Sequence, residues 1–440
     1  MEWWLVLLII FGAFFVLMAM KMPIAFAFLL VNTVAALFLW KGTAGIVLSV
    51  NSIRDAISNF NLMTLPLFVL LSDVVAQSGM APNMMEAFDR WLGRLPGRLG
   101  LLSVAAGTLF GALTGTGMAS VAMLGNTLVP EMEKRGYAKS MTLGPILGSA
   151  GLAVMIPPSG MAIIIAAMTD VSIARFLIAI ISPGLMMAIL YAVYIILRCR
   201  LNPSLAPPYE LADTSLSEKV IYSVKYILPF GLIIFLVTGV IFLGMATPTE
   251  AAATGALGAI ILVACYRRLT WTVLKRSLAS TVRLTSMVLL ILGTAAVFSQ
   301  ILAFSEATKE MSKLALAFPL PPILIIIAIQ VVGLFLGSVM STVAIVMITL
   351  PIFMPVVHAL GFDPLWFSAL YLLNMEMGAV SPPFGLTLFV MKGITDVVSP
   401  STTMGDIFKS VYPYIGINLI VMAIMIAFPV TVSLLPGLMR

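Results

Sequence analysis

The sequence predicts an all-α polytopic membrane protein with about ten transmembrane helices and two re-entrant helical hairpins, laid out as two inverted repeats. Three observations carry that expectation: a composition suited to lipid, two uncharged stretches whose length fits neither one crossing nor two, and motifs that recur from one half of the chain to the other.

Of the 440 residues, 61% are hydrophobic and only 10% charged, whereas a soluble surface needs about 25% charge. Lipid is therefore the expected solvent, at about 20 apolar residues per helical crossing. Crossings are expected at roughly 2–20, 22–40, 62–79, 141–168, 175–197, 226–245, 248–265, 284–304, 365–391 and 411–436. The first run, Trp3 to Met20, has no basic flank before it and no small-residue cleavage site, so it reads as an uncleaved helix. With the N-terminus outside, 18 of the 24 basic residues fall on the cytoplasmic side, as the bias of Lys and Arg toward cytoplasmic loops requires. Both termini are then periplasmic.

Other chemistries are poorly supplied. Cys199 and Cys265 are too far apart for a metal spacing, and His358 is the only histidine, which argues against a histidine-rich metal site or a Ser/His/Asp triad. There is no glycine-rich phosphate loop and no nucleic-acid module, and charges inside the apolar runs are too sparse for an intramembrane enzyme. The net charge of +6 suits loops facing anionic lipid, and the 30 methionines read as gap-filling apolar side chains.

The hairpins are expected at about 99–133 and about 319–357, each with small polar residues at its centre. Such tips carry unpaired backbone groups, tolerated in a bilayer only where protein, water or an ion satisfies them. Around them the halves repeat. Met22-Pro23 aligns with Thr247-Pro248, Ser120 and Pro130 with Ser341 and Pro351, and Pro157-Pro158-Ser159-Gly160 with Pro382-Pro383-Phe384-Gly385. The offsets run from 221 (Ser120 to Ser341) to 226 (Asp170 to Asp396). Residues 1–198 form the first repeat, with a broken helix at about 141–168, and 226–440 the second, with a broken helix at about 365–391. The Pro-rich, polar stretch 199–225 reads as a cytoplasmic connector.

A proline inside a helix lacks its N–H and clashes with the carbonyl four residues earlier, at about 3 kcal/mol or more. Pro157 and Pro158 should free the carbonyls of Ala153 and Val154, and Pro382 and Pro383 those of Gly378 and Ala379. Beside hydroxyl residues at a hairpin tip, such carbonyls make an all-oxygen cage for sodium. One cage is assigned to Thr114, Thr116, Ser120, Ala153 and Val154, the other to Gly337, Ser341, Thr342, Gly378 and Ala379. The half-helix N-termini carry partial positive charge, so a substrate carboxylate is expected against Gly115, Gly117, Pro157, Pro158, Ser159, Ser338, Ser381, Pro382 and Pro383. Proline kinks repaired by neighbouring helices, and close packing of glycines, are the plainer readings of the same residues. Glu376 reads as a functional charge near the second cage, Asp73 as a structural group bonded to a polar neighbour. Thr247-Pro248-Thr249-Glu250 reads as a capping box with proline at the first helical position.

In order along the chain, Leu65-Pro66-Leu67-Phe68, Gly111-Ala112-Leu113-Thr114-Gly115-Thr116, Lys134-Arg135-Gly136-Tyr137, Ile156-Pro157-Pro158-Ser159, Ala246-Thr247-Pro248-Thr249-Glu250-Ala251-Ala252 and Ser381-Pro382-Pro383-Phe384-Gly385 resemble signatures of the large membrane subunit of tripartite ATP-independent periplasmic (TRAP) transporters, the DctM or SiaM type. The resemblance implies a bacterial inner-membrane protein with an elevator mechanism, in which hairpins and broken helices slide against a scaffold with sodium as coupling ion and no other cofactor. It also implies two partners, a small four-helix membrane subunit of the DctQ or SiaQ type and a periplasmic binding protein of the DctP or SiaP type. The cargo would be a C4-dicarboxylate, a sialic acid or a related carboxylate. Where many members carry an acidic residue in the second hairpin, this chain has Gly337-Ser338, which leaves the substrate subclass open. A stand-alone sodium/dicarboxylate symporter of the wider ion-transporter superfamily would share the hairpins but need no binding protein.

Overall fold

In lipid every backbone N–H and C=O must be satisfied within the chain, and apolar runs of this length meet that demand as helices. The computed structural model describes residues 2–40, 42–93, 95–114, 116–207 and 215–439, with the backbone alone at Phe110 and 112–114. The elements among them are helical throughout. The first half contains α1 (Trp3–Ala19), α2 (Ile24–Leu39), α3 (Thr43–Ile57), α4 (Thr64–Gln77), α5 (Ala81–Leu92), α6 (Arg98–Thr114), α7 (Gly117–Lys134), α8 (Lys139–Met155), α9 (Gly160–Met168), α10 (Ile173–Ala179) and α11 (Ile181–Leu201). Next comes α12 (Leu216–Tyr226), which leads into α13 (Leu228–Ile234) and, through a π-helical turn at Phe235–Gly239, into α14 (Val240–Phe242). The second half continues with α15 (Pro248–Cys265), α16 (Trp271–Phe304), α17 (Ala307–Ala317), α18 (Pro322–Gly337), α19 (Thr342–Ala359), α20 (Pro364–Ala379), α21 (Leu386–Val398), α22 (Met404–Ala427) and α23 (Val430–Gly437).

Several boundaries differ from the sequence expectation, each for an identifiable reason. Helix α3 fills a stretch expected as a loop, because Arg54 and Asp55 at its end break the uncharged run without breaking the helix. Helix α16 starts at Trp271, not 284, capped by the Thr270 hydroxyl and carrying Lys275, Arg276 and Arg283 on a rod of 34 residues. The second half of the expected connector is helical, since Ser215 accepts from the N–H of Glu218 and starts α12. The capping box at Thr247 and Glu250 is present, with Pro248 as the first helical residue.

Among the described residues, seven helical stretches are long and apolar enough to cross a membrane, or eight if α8 and α9, bent by 49°, count as one span. The sequence suggested about ten. Part of the difference lies in α1 and α2, which have 17 and 16 residues. At 1.5 Å per residue they reach only about 25 Å. Helix α19 meets the length criterion although the sequence placed it in a hairpin.

Two groups of helices pack around different centres. Helices α8 and α20 lie at the heart of one, with Met141–Met155 and Leu365–Gly378 buried without interruption. Around them pack α6, α7, α11, α18, α19 and α22. The other group joins α4 to α15 and α16, and α16 to α2 and α3. The groups meet where α4 touches α6 and α9 and where α16 and α17 touch α19.

Helices α5 and α17 are short amphipathic connectors ahead of α6 and α18. Helix α5 is pinned through its second half. Arg98 grips Asp89 with a two-pronged contact, Nε to Oδ1 and Nη2 to Oδ2, both at 2.6 Å. Arg90 binds Glu86 at 2.7 Å, lies 3.9 Å from Glu218 and stacks over the ring of Tyr222 at 3.5 Å, while the Trp91 indole donates to the Ser223 hydroxyl. The last three partners sit on α12, so the segment between the halves is fastened to this connector.

Candidate functional site

The diprolines interrupt two helices as their chemistry demands. Helix α8 makes its last turn with the Ile156 N–H on the Leu152 carbonyl, and α9 restarts at Gly160 with the Ser159 hydroxyl accepting from the Ala162 N–H. Among the described residues no donor is bonded to the carbonyls of Ala153 or Val154, in line with the expectation from the missing proline N–H groups. Helix α20 ends at Ala379 and closes differently. The Ser381 N–H turns back onto the Gly378 carbonyl at 3.1 Å, and the Ser381 hydroxyl donates to Met377 O at 2.6 Å. The expectation that Gly378 presents a free carbonyl is therefore corrected: a tight turn supplies a donor that a proline count does not reveal. The Ala379 carbonyl keeps no donor among the described residues, and Gly385 lies so close that a Cβ there would be 2.7 Å from that oxygen. Both diproline peptide bonds are cis.

Glycine contacts bring each hairpin onto a broken helix. A Cβ on Gly111 of α6 would fall 2.3 Å from Ala153 Cα, and one on Gly107 would fall 2.4 Å from Ser149 Cβ. In the other half, Gly337 of α18 and Gly378 of α20 face each other directly, with a Cβ on either landing within 2.9 Å of the other's Cα. Backbone thus meets backbone at both places, which only small residues permit. These contacts unite Ala153 with the first hairpin and Gly337 with Gly378.

The hydroxyl residues divide. Ser120 is fully buried and its Oγ has no hydrogen-bond partner among the described residues. Thr116 and Ser341 occupy the N-cap positions of α7 and α19 in extended conformation, and neither side chain caps its helix. Thr342, the first residue of α19, is half-buried. Ser338 is buried with its hydroxyl on the Phe335 carbonyl. Gly115 and the side chain of Thr114 lie outside the described residues. The two breaks also differ in access: Pro157, Pro158 and Ser159 are buried, whereas Pro383 and Phe384 are exposed, Phe384 by 55%.

Glu376 departs from its expected neighbourhood. Its backbone belongs to α20, but its carboxylate reaches the first hairpin, with Oε2 placed 3.2 Å from where a Cβ on Gly117 would stand. The direction of a helical side chain depends on the helix's rotation, which spacing from Pro382 does not specify. Asp73 on α4 faces the Ser280 hydroxyl of α16, while its Oδ2 is buried without a partner among the described residues. Sequence reasoning missed the Asn374 amide, which donates to both the backbone carbonyl and Oε1 of Gln330 at 2.7 and 2.8 Å, tying α20 to α18. It missed also the buried hydroxyl contact between Thr349 and Tyr371. Polar residues at 330, 371 and 374 in otherwise apolar helices were the available signal. A separate cleft of about 480 Å³ opens between the α9–α10 and α19–α20 turns, lined by Asp170, Arg175, His358 and Asp363 among others.

An alkali cation is held by hydroxyl and carbonyl oxygens, and the buried Ser120 Oγ and the carbonyls of Ala153 and Val154 are oxygens of that kind without a hydrogen-bond donor or partner among the described residues. Among the described residues no three His, Cys, Asp or Glu side chains gather as they would around a transition metal.

Comparison with known proteins gives three findings. A family model described as the tripartite ATP-independent periplasmic transporter, DctM component, matches residues 11–431. The C4-dicarboxylate TRAP transporter large permease protein DctM of Rhodobacter capsulatus is 30% identical over 98% of this chain and 97% of that protein, and the sialic acid TRAP transporter large permease protein SiaM of Vibrio cholerae is 28% identical over 95% of each. In fold, the chain resembles the crystal structure of the Alcanivorax borkumensis YdaH transporter with a TM-score of 0.66 at 16% identity, over 90% of this chain and 91% of that one.

Proposed function

Because the chain belongs to the family of DctM components of tripartite ATP-independent periplasmic transporters, we propose that it is the large permease of a sodium-coupled importer of a small organic acid. It works in the bacterial inner membrane with both termini in the periplasm, beside a small four-helix subunit, and receives its cargo from a periplasmic binding protein. The cargo is a C4-dicarboxylate, a sialic acid or a related carboxylate, by analogy with relatives named for those substrates.

The observation that carries this reading is the pairing of each broken helix with a hairpin through bare glycine contact. We assign the two pairs to inverted repeats at 1–198 and 226–440, with α6–α7 and α18–α19 as re-entrant hairpins. The group around α8 and α20 is the mobile transport domain, and the group around α4, α15 and α16 is the scaffold of an elevator. Ser120, Thr116 and the carbonyls of Ala153 and Val154 hold the first sodium ion. Ser341, Thr342, Gly337 and the Ala379 carbonyl hold the second. When bound, the ions would supply positive charge to satisfy the lone pairs of these neutral oxygens. The uncapped first turns of α7 and α19 present backbone N–H groups toward the tips, where the positive end of the helix dipole favours a carboxylate. Ser159, Ser338 and Ser381 flank it with hydroxyls, and Gly117 lets the substrate approach the backbone.

Uptake by proteoliposomes containing this chain and its two partners tests the reading. Uptake should follow an inward sodium gradient, and Ser120→Ala and Ser341→Ala should each raise the sodium concentration for half-maximal rate several-fold. Equal uptake in choline and sodium would refute the coupling.

A further inference from the structure

We infer that Glu376 is an anionic ligand of the first cation cage, contributed by the opposite half of the molecule, so that one of the two cages carries a formal negative charge and the other none. The inference deepens the sodium-coupled reading above and depends on it.

Glu376 is 6% exposed, and among the described residues its carboxylate has neither a salt-bridge nor a hydrogen-bond partner. Tyr191 is the titratable group in its field, and that hydroxyl is committed to Asn418 Oδ1. A carboxylate removed from water without a partner is expensive, and inside a membrane protein it marks an ion pathway. The missing partner has a place. Oε2 stands 3.2 Å, and the Ala150 carbonyl oxygen 3.0 Å, from the position a Cβ on Gly117 would take. That glycine opens α7, whose N-cap, Thr116, leaves the first turn uncapped. Three residues further along is Ser120, whose buried hydroxyl also lacks a partner. Two unpartnered polar groups, each more than nine-tenths buried, therefore lie on one turn of backbone kept bare by glycine.

The charge is single for a steric reason. Gly151 stands 225 positions before Glu376, as Pro157 stands 225 before Pro382, so it is the counterpart of Glu376 in the first repeat. A Cβ on Gly151 would lie 3.2 Å from Met187 Cε and 3.9 Å from Glu376 Cβ. The two positions face each other where α8 and α20 touch, and the space between them takes one long side chain. At Gly337 the second hairpin packs against the backbone of Gly378. Its cage is built from neutral oxygens.

Thermal unfolding of the purified full-length chain, titrated with NaCl against choline chloride at constant ionic strength, separates the possibilities. Wild type should be stabilised by sodium, and E376Q should need about tenfold more of it for the same rise in midpoint, the loss expected for one charge-assisted contact. G117A keeps the carboxylate but crowds it, and should raise the sodium requirement several-fold in wild type and not at all in E376Q, since both changes strike one contact. If wild type responds to sodium and E376Q responds identically, Glu376 is no ligand while the coupling stands. If wild type itself shows no sodium response, the coupling fails and the ligand assignment with it. Should E376Q not be recovered folded, an unchanged sodium requirement in G117A overturns the inference alone.

Discussion

Single atoms decide whether the hairpins seat. A methyl group on Gly111 would meet Ala153 Cα at 2.3 Å and one on Gly378 would meet Gly337 Cα at 2.7 Å, so backbone must move in each case. Gly111→Ala and Gly378→Ala should each lower stability by about 1–3 kcal/mol, read as a fall in the thermal unfolding midpoint in detergent. Gly393 in α21 has nothing within 4 Å of an added Cβ, and Gly393→Ala should be neutral or gain about 0.4–1 kcal/mol. The sequence made the breaks legible at this scale, because a proline's missing N–H acts on a fixed neighbour four residues away. It left the Ser381 N–H on Gly378 and the heading of Glu376 unreadable, since both depend on how the chain turns after the break.

At the scale of elements, the connector α5 shows what holds an amphipathic helix against its neighbours. The Arg98 fork on Asp89 is two charge-assisted bonds, and lysine offers one point charge in their place. Arg98→Lys should cost about 1.5–3 kcal/mol, measured by thermal unfolding, while Trp91→Phe, which gives up one indole bond to Ser223, should cost about 1 kcal/mol. A larger loss for Trp91→Phe would mean that the ring's packing outweighs its bond. Neither α5 nor α17 was read from the sequence. Their apolar faces are interrupted by charges such as Glu86, Asp89 and Arg90, and a search for long uncharged runs passes over them. The same criterion cut α16 short at its basic first third, whereas the box at Thr247 was legible because its reciprocal bonds join only Thr247 and Glu250, three residues apart.

For the whole molecule, the elevator proposal requires α9 to travel past α4. Gly160 of α9 lies beside Leu65 of α4, with an added Cβ 3.8 Å from Leu65 Cδ1. In a background with Cys199 and Cys265 replaced by serine, Leu65→Cys with Gly160→Cys should be joined by a short bifunctional thiol reagent. The linked protein should keep its sodium-dependent stabilisation and lose uptake. Undiminished uptake at full cross-linking would show that these helices do not part company during transport. The repeat motifs raised the expectation of two similar halves and gave no sign of the unequal burial of their diprolines, since burial depends on packing around each break and not on the motif itself. That inequality has a pharmacological side. With Phe384 exposed and its counterpart Ser159 sealed, a blocker fitted to that ring would find a foothold at one of the two breaks and none at the other.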